Sequence, residues 1–409
     1  MKTLLVQDYL RSGKTLNDLI IEHGVYSNIT NGKIGLSYDQ IESRPSDPLA
    51  CECRGLILEE NTYNIVAFPF KRFFNLAEES LIPKDFDWNS AKIYNKIDGT
   101  LCIIYNYKDC WYMGTRSKPE ADVGIDGGML TFSMLFDHTV TEMYINQYYK
   151  TYNINPSGKK NIQDLMSCFG EDAKKYTFMF ELTSPLNRIV CNYYGLNLTL
   201  LGVRDNESFQ EQNPEIWLND KTELYGLKTS EVFSFKDINE TINTVNSWKP
   251  EEKEGVVVVD KNFNRIKIKS IAYSLFNKMR DSLSTSVRGC IEAILLGKDD
   301  DLIGMMPPII SDRLIRLKPA IQKVFTQTEI DFNEIKDVEN MKEFAGYAEF
   351  KLWPAAMYAL KRKKIENIHQ FALGRQQNGK ISSGSLDTIL SLCEKVDPSL
   401  KDLKPQINN

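Results

Sequence analysis

Tyr94-Asn95-Lys96-Ile97-Asp98-Gly99-Thr100-Leu101-Cys102-Ile103-Ile104-Tyr105 is the stretch on which the reading of this chain turns. One β-type run ends at Tyr94 and another begins at Leu101, with Lys96-Ile97-Asp98-Gly99 between them. Asp-Gly is a strong two-residue turn signal, so a hairpin preceded by an unremarkable lysine accounts for the pattern. A lysine nucleophile at a sheet edge, with Gly99 permitting close approach of a nucleotide, accounts for it too. The stretch alone leaves both readings open.

Working outward, short β-type runs at Arg54 to Leu58, Asn64 to Phe68, Leu101 to Tyr105 and Trp111 to Thr115 are separated by Asn, Asp and Gly turns, which predicts antiparallel sheet. Met129 to Tyr149, after the glycine-rich stretch Gly124 to Gly128, carries apolar residues at helical spacing. Strands resume at Tyr176 to Leu182, Leu198 to Val203, Gly255 to Val259 and Arg265 to Lys269. Beyond Ser270 the texture changes. Ala272 to Leu283, Val287 to Leu296, Ile309 to Val324, Met341 to Lys364 and Ser385 to Lys395 all read as helices. The fold class expected is therefore α+β: an N-terminal domain over 1–272 with antiparallel sheets and flanking helices, then a smaller all-helical domain over 273–409.

Composition sets outer limits. A chain of 409 residues with 42% hydrophobic and 26% charged residues is expected to be globular and to hold two domains. Its N-terminus meets Gln7, Asp8 and Arg11 too soon for a secretory core, and its apolar runs are far shorter than a bilayer span, so neither export nor a membrane is expected. Scattered cysteines, with Cys51 and Cys53 the only close pair, read as reduced thiols rather than a zinc site. A net charge of -5 argues against sequence-blind coating of nucleic acid, which depends on many phosphate contacts.

Three further segments carry candidate chemistry. Tyr176 to Leu182 is an apolar strand holding Glu181, which needs a partner if buried and emerges into solvent if not. Lys253-Glu254-Gly255 precedes the apolar run Val256 to Val259. In Arg265-Ile266-Lys267-Ile268-Lys269, period-two alternation puts three cations on one face and two isoleucines on the other, a pattern that a solvated strand face also explains.

Taken in order, these four segments resemble the motif series of covalent nucleotidyltransferases. Cys53-Arg54-Gly55-Leu56-Ile57-Leu58, Lys71-Arg72-Phe73-Phe74-Asn75-Leu76-Ala77-Glu78 and Thr115-Arg116-Ser117 resemble the upstream elements of the bacteriophage RNA ligase 1 family in particular. The resemblance covers residues from about 40 to 275. It implies an ATP-dependent RNA ligase that joins 5′-phosphate and 3′-hydroxyl ends through a lysyl-AMP on Lys96. It further implies that Lys267 and Lys269 hold the α-phosphate, that Glu181 contacts the sugar and that Glu254 places Mg²⁺ or Mn²⁺. Asp98, Gly99, Arg54, Phe74 and Arg116 would complete the ATP site. Where the family tends to put Lys directly before Phe-Phe-Asn this chain has Arg72, with Lys71 one step earlier, so either cation is a candidate.

Lysine at its reference pKa of about 10.4 is neutral only about once in 2,500 molecules at pH 7, so Lys96 is expected to be activated by Lys267, Lys269 and the metal. The implied partners are single-stranded or nicked-loop RNA, tRNA repair being the family's theme, and a separate enzyme that heals RNA ends. The implied location is the cytoplasm, that of the host where the source is a virus. In the helical region Arg313, Arg316, Lys318 and Lys361-Arg362-Lys363-Lys364 suit RNA phosphates or simply water. The rival readings are a DNA nick ligase or an mRNA capping guanylyltransferase, which usually add a β-barrel after the last motif, and a non-catalytic RNA-binding protein.

Overall fold

The computed structural model describes residues 2–125, 128–284, 287–297, 299–303, 306, 308–373 and 381–403. The chain divides into two units, Met1–Ser274 and Leu275–Asn409. The first is a mixed α/β structure built on three largely antiparallel sheets.

The alternation of Arg265–Lys269 shapes the sheet that matters most. Its strand order is Val232–Phe233, Lys92–Lys96, Gly255–Val259, Arg265–Lys269, Phe74–Asn75, antiparallel except for the last, parallel pair. Val256, Val258, Ile266 and Ile268 turn to one side and form a core with Phe86 and Val245, the latter from helix Ile238–Ser247. Lysines occupy the other side. Gly255 stands opposite both Lys96 and Lys269, so the register alone puts those two cations on either flank of one residue.

A second sheet orders Glu211–Gln212, Asn197–Asp205, Tyr176–Thr183, Thr100–Tyr107 and Cys110–Gly114, with Lys228–Thr229 parallel to Asn197–Asp205. Helix Phe132–Tyr152 buries Leu135, Phe136 and Val140 against Phe178 and Phe180 of this sheet. The helix starts later than its apolar spacing predicts because Thr131 caps it, accepting a hydrogen bond from the Met134 amide. Residues 126–127 of the glycine-rich stretch before it lie outside the described residues.

The third sheet, Val25–Thr30, Lys33–Tyr38, Arg54–Glu59 and Ile65–Ala67, carries helices Leu5–Arg11 and Leu16–His23 over a core that includes Val6, Leu10, Leu19 and Leu36. Its Ile57, Val66 and Ala67 pack with Ile103 and Tyr105 of the second sheet, which fixes Arg54 next to the Lys96 turn.

In the second unit the described residues outside its loops are helical. The stretch Met341 to Lys364, which reads as one helix, forms two, Met341–Ala348 and Pro354–Lys361. Pro354 takes a first-turn position, where its missing N–H costs nothing, and so starts a new helix. Conversely, Pro308–Ile335 runs through Pro319 and well past the expected end at Val324.

Candidate active site

Lys96 ends its strand with its side chain mostly buried, and its Nζ lies 2.8 Å from Glu254 Oε2. The other Glu254 oxygen, Oε1, lies 2.8 Å from Lys269 Nζ. Glu254 is only 3% exposed, so one buried carboxylate holds two lysines. Gly255 makes this possible: a Cβ there would stand 2.2 Å from the Ile268 carbonyl oxygen.

Among the charges around Lys96, that of Glu254 dominates. Burial alone would favour a neutral Lys96, but the charge of Glu254, then that of Glu181, outweighs it and the Lys96 pKa is raised. Lys96 rests here as an ion-paired ammonium rather than a primed amine. Lys267 is the lysine pushed down, to about 8, by burial and by the neighbouring charges of Lys269, Lys96 and Arg54. Its ammonium lies 5.2 Å from the centre of the Phe73 ring.

Asp98 faces inward. One carboxylate oxygen, Oδ2, accepts from the Val190 and Cys191 amides at 2.8 Å each, and Oδ1 accepts from the Tyr273 hydroxyl at 2.6 Å. The Asp98 amide donates to the Tyr193 hydroxyl at 3.1 Å. Asp98 therefore anchors the Lys96 turn to segment 190–193 and to Tyr273, and both its oxygens are already engaged. Gly99 lies against a neighbouring strand as well as the cavity. A Cβ on it would sit 2.4 Å from the Leu182 carbonyl oxygen, so its lack of a side chain admits the strand Tyr176–Thr183. That approach lets the Gly99 amide donate to Glu181 Oε1 at 3.1 Å. Glu181 does not emerge into solvent: it is buried, and burial pushes its pKa up to about 7, against the pull of Lys96.

Of these groups Lys96, Gly99 and Glu181 line a cavity of about 250 Å³, together with Arg54 and a wall of Phe73, Tyr94, Val257 and Val259. The Arg54 guanidinium lies 5.2 Å from the centre of the Phe73 ring, and its Nη1 is buried without a hydrogen-bond partner. An orphaned guanidinium nitrogen beside a lysine cluster is suited to an anion. A cavity with aromatic and aliphatic walls and with Arg54 and Lys96 in its lining suits a nucleotide.

The other sequence candidates lie beside this cavity. The Tyr38 ring sits between two guanidinium groups, Arg72 at 4.2 Å and Arg116 at 4.7 Å, and its carbonyl accepts from Arg116 Nη2 at 3.2 Å. Arg72 also lies 5.4 Å from the centre of the Phe74 ring. Lys71 is half exposed and turns to Glu52 Oε1 at 3.7 Å. The third cation of the alternating strand, Arg265, leaves the lysines altogether and binds Glu211, with Nη1 donating to Oε2 at 2.9 Å. Sequence spacing gave no sign of Glu211, Tyr38, Tyr193 or Tyr273, because each reaches the site from a distant segment.

Among the described residues, no group of three or more His, Cys, Asp or Glu side chains comes together as a metal cage. Glu254 is a carboxylate paired with Lys96, which lines the cavity. That donor set fits Mg²⁺, which keeps several waters and shares one or two carboxylates with substrate phosphates.

Residues 52–274, more than half of the chain and every site position from Arg54 to Lys269, match the RNA ligase family. The chain belongs to that family. This RNA ligase family member is 30% identical over 285 residues to a protein of Autographa californica nuclear polyhedrosis virus named as a bifunctional polynucleotide kinase/RNA ligase, an alignment covering 66% of this chain and 37% of that one. It is 26% identical over 182 residues to an RNA ligase of Rhodothermus phage RM378, covering 37% and 36%. The chain thus spans little more than a third of each of these two relatives. A solved Naegleria gruberi RNA ligase mutant with ATP and Mn is similar at TM-score 0.31 and 15% identity over 46% of this chain and 51% of that one.

Among the described residues no helix is long and apolar enough to cross a membrane. In the second unit, Arg316 pairs with Asp402 and Asp312, and Lys318 with Asp299 and Asp300, while Arg362, Lys363 and Lys364 are exposed.

Proposed function

We propose that this chain is an ATP-dependent RNA ligase whose nucleophile is Lys96. The observation that carries this is that Lys96, paired with a buried Glu254 that also holds Lys269, lines one cavity together with Arg54, whose Nη1 is buried and unpaired. The Lys96 nitrogen attacks the α-phosphorus of ATP and pyrophosphate leaves. An RNA 5′-phosphate oxygen then displaces the lysine and takes the AMP. Finally a 3′-hydroxyl oxygen attacks the 5′-phosphorus and AMP departs, leaving a phosphodiester.

Each displacement builds charge on phosphoryl oxygens, so catalysis rests on positioning and fixed cations. Lys267, Lys269 and Arg54 supply them. The Glu254 pair keeps Lys96 protonated; turning that carboxylate away leaves the amine facing Lys267 and Lys269, whose charges favour its neutral, nucleophilic form. A divalent ion, when bound, adds positive charge at the α-phosphate, and Glu254 is the carboxylate placed to hold it. Glu181 takes the sugar, and Asp98 holds the turn that presents Lys96.

The second unit, whose described residues outside its loops are helical where a DNA ligase or capping enzyme would place a β-barrel, serves RNA recognition in this reading, with Arg362, Lys363 and Lys364 available as phosphate contacts. The kinase named in the baculovirus relative supports an RNA repair role with a partner enzyme that heals the ends, tRNA being one such substrate, in the cytoplasm of an infected host. A 5′-phosphorylated single-stranded RNA incubated with the protein, ATP and Mg²⁺ is expected to yield circles. Sealing of nicked duplex DNA alone would contradict the proposal.

A further inference from the structure

We propose that a second cavity, sharing a wall with the ATP cavity, binds an interior nucleotide of the RNA strand. The inference rests on the ligase reading above and concerns a different surface from the one that holds ATP. The cavity measures about 380 Å³ and lies on the other side of the segment Phe70 to Phe74. Phe70, Phe73, Phe263, Glu211 and Arg265 line both spaces, so the wall between them is one layer of side chains thick. Its volume falls within the roughly 300–1,000 Å³ of small-ligand sites.

Its chemistry is that of a single-strand nucleic-acid site: aromatic faces for stacking and cations for phosphate. Lys71, Arg72, Arg204 and Arg265 line it against one carboxylate, Glu211, an excess of positive charge in a chain of net charge -5. Two nitrogens of those cations, Arg72 Nη1 and Arg204 Nε, are buried without a hydrogen-bond partner. Phe74 and Phe209 add aromatic surface not shared with the first cavity. The adjacent cations Lys71 and Arg72, which sequence leaves as alternatives, both line this second space and neither lines the first.

The backbone supplies an independent sign. Phe209 and Phe263 hold φ of 63° and 61°, a region where bulky residues are outliers and Gly or Asn is usual. Each closes a tight turn on an aspartate: Phe209 N donates to Asp205 O, and Phe263 N to Asp260 O, both at 3.0 Å. Two turns thus keep a strained phenylalanine where asparagine would relax the chain, and both rings border the same cavity. Backbone strain of this kind persists where the side chain has a task.

The cavity borders Arg265, four strand residues from Lys269, which is about 13 Å along the sheet at ~3.3 Å per residue. The reacting RNA end belongs at the lysines, so the occupant here is a nucleotide further along the strand.

The test uses the full chain with Phe209→Asn, which suits the left-handed turn, and separately with Gln210→Glu plus Asn262→Asp, which only add negative charge at exposed lining positions. Two quantities are read: transfer of label from ATP to the protein, and affinity for a fluorescent 5′-phosphorylated single-stranded RNA by anisotropy. RNA affinity is expected to fall about tenfold in each variant, the scale of one lost base stack, with labelling by ATP unchanged. Unchanged RNA affinity in the charge variant overturns the inference, and so does a fall in ATP labelling, which would make the cavity an extension of the ATP site. Failure of the wild type to take label from ATP would instead overturn the ligase reading.

Discussion

Lys96 Nζ stands 2.8 Å from Glu254 Oε2, so the proposed nucleophile and the acid proposed to serve the metal neutralise one another. Because Lys269 holds the other Glu254 oxygen, the two partners are not equivalent. Lys96→Ala leaves Glu254 with a cation, whereas Glu254→Ala leaves Lys96 and Lys269 facing each other beside Lys267. Removing the shared partner of a buried pair costs about 3–5 kcal/mol. Thermal denaturation should therefore show a clearly larger drop in midpoint for Glu254→Ala than for Lys96→Ala; equal drops would mean that Lys269 does not share the acid.

Glu181 gives a pH signature. Its carboxyl is raised from 4.5 to about 7 by burial, so the folded state favours the protonated form. That contribution is fully present below about pH 4.5 and is lost as pH rises through 7, amounting to about 3 kcal/mol. Glu181→Gln can still accept from the Gly99 amide and carries no charge. It should be more stable than wild type at pH 8 and equal to it below about pH 4.5, by chemical denaturation; a difference independent of pH would contradict the burial of a titrating acid.

Lys267 predicts the alkaline limb of activity. With its pKa lowered to about 8, the free enzyme loses this cation as pH passes 8. The kcat/KM for ATP in the first step, which reports the free enzyme, should fall above about pH 8. Lys267→Arg should retain the charge and lose that limb, at reduced overall activity. Persistence of the limb in the arginine variant would assign it to another group.

Tyr273 is expected to act through Asp98. Tyr273→Phe removes the 2.6 Å bond to a buried carboxylate, at a cost of about 1–3 kcal/mol. The Lys96 turn should loosen, lowering kcat for self-adenylylation while leaving KM for ATP near its wild-type value. A rise in KM alone would place Tyr273 at the nucleotide instead.

Much of this site was legible because its strands advertise themselves. The alternation of Arg265 to Lys269 and the apolar run after Gly255 fix two neighbouring strands, and antiparallel register then brings Lys96, Glu254 and Lys269 together. Arg265 shows where that reasoning ends: alternation gives its face but not its partner, and Glu211 comes from another sheet. The Asp98 bonds to Val190, Cys191 and Tyr273 and the fit of Gly99 against Leu182 are not legible in the turn itself, because the partners lie in distant segments. The hairpin Val25–Tyr38 carries an Asn31-Gly32 turn, a hairpin signal written in the sequence itself. The ion pair of Lys96 is not legible in the strand pattern, because cations on one sheet face depress a lysine pKa only where no acid is buried among them, and the burial of Glu254 is a tertiary fact.

Covalent labelling tests the central claim most directly. The protein is incubated with Mg²⁺ and α-labelled ATP or GTP, then denatured and separated from free nucleotide. Label from ATP should remain on the wild type, be released by acid as expected of a phosphoramidate, and be absent from Lys96→Ala. Absence of label on the wild type, a preference for GTP, or label that persists in Lys96→Ala would contradict the account.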